Sequence, residues 1–110
     1  MTTRHIQTIR RINDLLRTTL LTGRVALTQG IMALSQADRD AILAKVRAFD
    51  AFTPDNDPHG EHDFGAFSHG GVRVFWKIDY YAPHTELASE DPADRGKTRR
   101  VLTVMLADEY

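Results

Sequence analysis

A chain of 110 residues with 42% hydrophobic side chains is the size of one globular domain with a single core, and residues 1–110 are read as one domain. Its 14 Lys and Arg against 15 Asp and Glu leave a formal net charge of -1, which supplies neither the basic field of a nucleic-acid binder nor the charge of a polyanion mimic. With Cys at 0, disulfide scaffolds, thiolate zinc sites and cysteine nucleophiles are excluded, which suits a reducing, cytoplasmic setting.

The N-terminal stretch MTTRHIQTIRRIN is Arg-rich and has neither an apolar core region nor a small-residue cleavage site, so no leader segment is expected. No run approaches the apolar length that spans a bilayer. From Thr3 to about Leu20, Ile6, Ile9, Ile12, Leu15, Leu16 and Leu20 fall at the spacing of one helix face. Asp14 and Arg17, three apart, are expected to pair on the exposed side. Gly23 ends the pattern.

RVALTQGIMAL is β-branched and apolar, and predicts a strand from Arg24 to about Met32 with a bulge or bend at Gly30. Ser35, followed by Asp38, caps a second helix whose Ile42, Val46 and Phe49 share one side, with Ala41, Ala44 and Ala48 nearby; it is expected to stop before Pro54.

HDFGAFSH and VRVFWKIDYY flank Gly70 and Gly71, both free to take positive φ, which is a two-residue hairpin signal. Pairing outward from that loop sets His69 against Val72, Phe67 against Val74, Gly65 against Trp76 and Asp63 against Ile78, with the indole covering the glycine. Val72, Val74, Trp76, Ile78 and Tyr80 then face the helices, while His62, Phe64, Ala66 and Ser68 share the other face with Arg73, Phe75, Lys77 and Asp79. After a long loop, the run from Val101 to Leu106 is apolar on both faces and predicts a central strand. The whole predicts an α+β domain of two helices on a mostly antiparallel four-stranded sheet, in the order helix, strand, helix, strand, strand, strand.

The same register places His62 across from Asp79, where a carboxylate orients an imidazole, and makes this pair the candidate catalytic dyad. No Ser, Cys or Thr nucleophile stands at a fixed spacing to it, and a structural ion pair is the simpler reading. Asp57, Glu61 and Asp63 are the candidate ligands for a divalent metal, with His59 and His62 beside them. The stretch from Asp55 to Ala66 matches a calcium loop only in part, since His59 stands at its fifth position and Ala66 at its closing one. Turn formation around Pro58 explains the same residues, and the DFG at Asp63 to Gly65 is a chance match to a kinase tripeptide. The basic run Arg95, Lys97, Arg99 and Arg100 reads as a solvated loop entering a strand rather than a phosphate site. Phe64, Phe75 and Tyr81, with Arg73, form a candidate partner-binding patch if no helix covers their face.

NDP at Asn56–Pro58, GEHDFG at Gly60–Gly65, WKIDYY at Trp76–Tyr81, DP at Asp91 and Pro92, RVLT at Arg100–Thr103 and EY at Glu109 and Tyr110 together resemble a family of small bacterial proteins known as a domain of unknown function. His59 stands where that family commonly has an aromatic residue. The resemblance implies a gene often carried on plasmids and phage-like elements, a setting whose small proteins often bind and disable host defence complexes. The expectation is a cytoplasmic, non-enzymatic protein-binding module without a cofactor, of anti-restriction or anti-CRISPR type, with a host protein or a second copy of itself (a homodimer) as partner. The alternative is a metal-assisted hydrolase or nuclease using His62, Asp79, the acidic loop 55–63 and a divalent metal ion.

Overall fold

The computed structural model describes residues 3–110. Met1 and Thr2, part of the stretch read for a leader segment, lie outside the described residues. In chain order the elements are helix α1 (Thr3–Thr19), strand β1 (Arg24–Leu27), the short helix α2 (Gln29–Met32), helix α3 (Gln36–Ala48), strands β2 (Phe64–His69) and β3 (Val72–Tyr81), a 3-10 turn (Arg95–Lys97), strand β4 (Arg99–Leu106), and a terminal 3-10 turn (Ala107–Glu109). The sheet runs β1-β4-β3-β2, with β1 parallel to β4 and the other pairs antiparallel. The fold is α+β, and its sheet is mixed because the chain crosses over through α2 and α3 before β4 returns beside β1.

Two expectations for the first half change. The strand foreseen to Met32 stops at Leu27, and Gln29–Met32 coils into a helical turn that contains Gly30 and buries Ile31. A Cβ on Gly30 would strike the Glu109 carboxylate and Leu106, so the glycine marks a close approach of the C-terminal turn, not a bulge. On α1 the buried stripe is Ile9, Asn13, Leu16 and Arg17, while Leu15 is exposed. Asn13 and Arg17 displace the expected apolar residues because each finds hydrogen-bond partners in the interior.

The remaining elements form as expected. Ser35 Oγ accepts the Asp38 N–H at 3.1 Å, capping α3, whose Ile42 and Val46 are buried. Gly70 and Gly71 take φ of 55° and 82°, and the register His69↔Val72, Phe67↔Val74, Gly65↔Trp76 follows. Val74, Trp76 and Ile78, with Leu102 and Val104, meet Leu16, Ile31, Ile42 and Val46 in one core. β4 is central, and even Met105, on its other side, is buried. Among the described residues no helix is long and apolar enough to cross a membrane.

Candidate functional site

The polar stretch between α3 and β2 is built from its own turn chemistry first. Asn56 Oδ1 accepts the Thr53 N–H at 2.9 Å, Thr53 Oγ1 accepts the Asn56 N–H at 3.2 Å, and Asn56 Nδ2 donates to the Ala51 carbonyl. Gly60 turns at φ 69°. Asp57 is buried and receives the backbone N–H of His62 at 3.2 Å, which holds His62 itself at φ 55°. A non-glycine residue in that left-handed region costs about 1–3 kcal/mol and persists only where its surroundings impose it.

That one residue overturns the expected dyad. The left-handed turn at His62 breaks strand alternation just before β2 begins at Phe64, and the imidazole swings from the outer sheet face towards α1. Nδ1 lies 2.8 Å from Asp14 Oδ1, Nε2 lies 3.7 Å from Asp57, and the ring stacks on Phe52 with centroids 3.7 Å apart and 3° between planes. Asp79 remains on β3 opposite Val101, where it takes the Lys77 ammonium at 2.7 Å and raises the pKa of that lysine. His62 and Asp79 are therefore not paired.

Around His62 the side chains form a continuous polar seam. Arg17, only 4% exposed, is bracketed by Phe52 and Trp76 and donates to the last carbonyls of α3, at Val46 and Arg47, and to Asp14 at 3.1 Å. The pairing with Asp14 is as expected; the exposed setting is not, because the guanidinium closes the end of α3. Next to it, buried Asn13 donates to the Tyr80 hydroxyl at 2.7 Å and the Glu61 carbonyl at 3.0 Å, and accepts from Arg100 Nε at 2.7 Å. Tyr80 donates in turn to Glu61 Oε1 at 2.7 Å. Burial pushes the tyrosine pKa up, so it remains a donor, and the same burial pulls that of Arg100 down. Arg100 also donates to the Pro92 carbonyl, so this member of the basic run is an interior group rather than a solvated one.

Asp57 and Glu61 are thus spent separately, on the His62 N–H and on Tyr80, while Asp63 stands half-buried just before β2. Burial and the neighbouring Glu61 raise the pKa of Asp63. Among the described residues no group of three His, Asp or Glu side chains is arranged to hold a metal ion. A cleft of about 470 Å³ opens beside the seam, lined among others by Ile6, Arg10, Phe52, Asp57, His59 and His62. Chemically, the cleft presents an imidazole oriented by a carboxylate, which is the geometry of a general base.

The other face of the sheet carries a different arrangement. Phe64 and Phe75 meet edge to face at 5.2 Å, and Tyr110 packs on both at 6.1 and 5.7 Å. Tyr81 stands apart under Arg99, 4.8 Å from its ring, and Arg73 is exposed beside Ser68. Of the foreseen patch, Phe64 and Phe75 are brought together, Tyr81 and Arg73 flank them, and Tyr110 is an addition. Tyr110 stays 76% exposed although it covers the two rings. Its neighbour Glu109 fastens the turn, accepting from Thr28 Oγ1 at 2.6 Å and from the N–H groups of Gly30 and Leu106 at 2.9 Å each. No periodicity in the sequence points to Tyr110; the EY word alone marked it.

No curated protein and no solved structure matches the chain. A family match does exist, and all but the last residue of the shared words fall within it. With that match running over residues 27–109, from the last residue of β1 into the terminal turn, the chain belongs to the family described as "Protein of unknown function (DUF3768)".

Proposed function

We propose that the protein is a binding module for another protein, engaging it through the helix-free face of the sheet. One observation carries this reading: the three-ring cluster of Phe64, Phe75 and Tyr110 stands on a face that no α-helix packs against, next to the Lys77–Asp79 pair. Aromatic rings ringed by charged groups are the composition of an interface centre and its rim. The partner this chemistry fits is a protein with an apolar spot bordered by acidic groups, which would meet Arg73, Arg99 and Lys77. The family resemblance adds the setting: a cytoplasmic bacterial protein of a mobile element whose target is a host defence complex. A photo-crosslinking residue at Phe75 or Tyr110 is expected to give one discrete adduct in cells, absent when it stands at Leu15 and abolished by Phe64→Lys. Relief of restriction or interference against incoming DNA is expected from the wild type and lost with Phe75→Lys. An adduct pattern indistinguishable from the Leu15 control rejects this face as the interface.

A second reading, acid–base hydrolysis at His62, is favoured by the Asp14–His62 contact beside the cleft; the divalent metal expected with it has no three-ligand group among the described residues. Asp79 has no part in it. The reading requires hydrolysis of a phosphodiester or ester that disappears in His62→Ala and weakens in Asp14→Asn. Equal rates in wild type and His62→Ala eliminate it.

A further inference from the structure

The hairpin register also determines which backbone groups of β2 are in use. His69, Phe67 and Gly65 exchange hydrogen bonds with Val72, Val74 and Trp76, and the Asp63 carbonyl takes the Ile78 N–H at 2.8 Å. The N–H and C=O groups of Phe64, Ala66 and Ser68 therefore point outward, along the edge of the sheet. Among the described residues only one of these six has a partner, the Ser68 carbonyl, which receives Lys45 Nζ at 3.3 Å. Natural edges are blunted by lysine, proline, a bulge or brevity. FGAFSH has no lysine and no proline, pairs without a bulge over six residues, and is longer than the four-residue edge at β1.

The charges flanking β2 differ between its two ends. Before its first residue stands Asp63, with Glu61 turned to Tyr80, Asp57 to the His62 N–H, and Arg10 donating to the Gly60 carbonyl. At its far end stand Lys45 and Arg73, with His69 held between Lys45 Nζ and Asp38 Oδ1 at 3.0 Å each. When the strand is reversed against itself, Asp63 of each copy comes to the end where Lys45 and Arg73 of the other stand, so the contact is complementary twice over.

We propose that β2 pairs antiparallel with β2 of a second copy of this chain, with Ala66 facing Ala66 across a two-fold axis. In this register Phe64 lies opposite the partner's Ser68 and Asp63 opposite the partner's His69, so all three outward-facing residues of each copy are used. Alanine at the axis lets the backbones approach without a side-chain conflict. The two four-stranded sheets become one of eight, and both aromatic clusters lie on the same face. The interface is distinct from the ring face proposed above: it consists of backbone edge, and its occupant is the chain itself.

The chain has no cysteine, so a single introduced thiol reports on one contact. Paired residues at a hydrogen-bonded position have Cα atoms about 5.5 Å apart, within disulfide reach. Ala66→Cys is expected to oxidise to a covalent dimer at micromolar protein, whereas Ser68→Cys, whose opposite residue is Phe64, is not. Light scattering of the wild type is expected to rise from monomer to twice the monomer mass with concentration. Ala66→Pro removes only an outward N–H, and Ala66→Lys sets two ammonium groups together on the axis; each is expected to remain monomeric with an unchanged circular dichroism spectrum. A monomer mass up to about 0.5 mM, which corresponds to association too weak to matter in a cell, overturns the proposal. So does a dimer that survives both Ala66 variants, or Ser68→Cys linking as fast as Ala66→Cys.

Discussion

His62 illustrates how much one backbone angle decides. Its φ of 55° is held by the Asp57 carboxylate on its N–H and the Asp14 carboxylate on its ring. His62→Gly removes the strain together with the Asp14 contact and the Phe52 stacking, two effects of opposite sign. Asp57→Ala removes only the support and is expected to destabilise by about 1–3 kcal/mol, measured by urea unfolding. At Gly65 a Cβ would run into the Trp76 indole, so Gly65→Ala should displace a fully buried ring that also packs edge-on against Phe49 and Phe52. The expected cost is about 1–3 kcal/mol, with changed tryptophan fluorescence as the second readout. Unchanged stability and emission would contradict the packing described. This packing was readable from the hairpin pairing; the His62 contacts were not, because Asp14 lies 48 positions away in the chain and nothing local announces it.

At the scale of elements, α1 is attached to the sheet by hydrogen bonds as much as by Ile9 and Leu16. Asn13 is the hub, touching Glu61, Tyr80 and Arg100. Asn13→Ala leaves a buried guanidinium and a buried hydroxyl each short of a partner, and is expected to cost about 3 kcal/mol or more. For a domain of this size that lowers Tm by roughly 10 °C or more. The C-terminal turn is held differently, through Glu109 on Thr28, Leu106 and Gly30, and those hydrogen bonds, the one from Thr28 first, depress the glutamate pKa. A carboxylate depressed in the folded state stabilises in full above its unfolded pKa and loses that contribution as pH falls through the folded one. Glu109→Gln is therefore expected to unfold at lower temperature than the wild type at pH 7, with the gap closing once pH drops below the ordinary carboxylate range. A gap independent of pH would assign the effect to shape rather than charge.

At the scale of the molecule, two layers leave one sheet face to the helices and the other to the terminal turn and solvent. Exchange protection should follow that division. The amides of β3 and β4, which carry the core residues Val74, Trp76, Ile78, Leu102 and Val104, are expected to exchange only with global unfolding. Residues 83–97, mostly exposed and tied down by few backbone hydrogen bonds, should open at much lower free energy. Uniform protection along the chain would refute the layered picture.

The amino-acid sequence alone determined the elements whose signals are local. α1 and α3 follow from apolar spacing and the Ser35 cap, the tight hairpin from Gly70 and Gly71, and the face of β3 from its alternation, because each depends only on near neighbours along the chain. The sequence also indicated, through Phe64 and Phe75, where rings would collect. Only the tertiary structure decided that Asn13, Arg17 and Arg100 belong inside, that RVALTQGIM divides into a strand and a helical turn, and that His62 turns to Asp14. In each case the deciding partner is remote: a carbonyl at the end of α3, the Glu109 carboxylate, or a side chain on α1. Hydrogen bonds between distant segments leave no periodic trace, so the polar interior became visible only once the chain had folded around it.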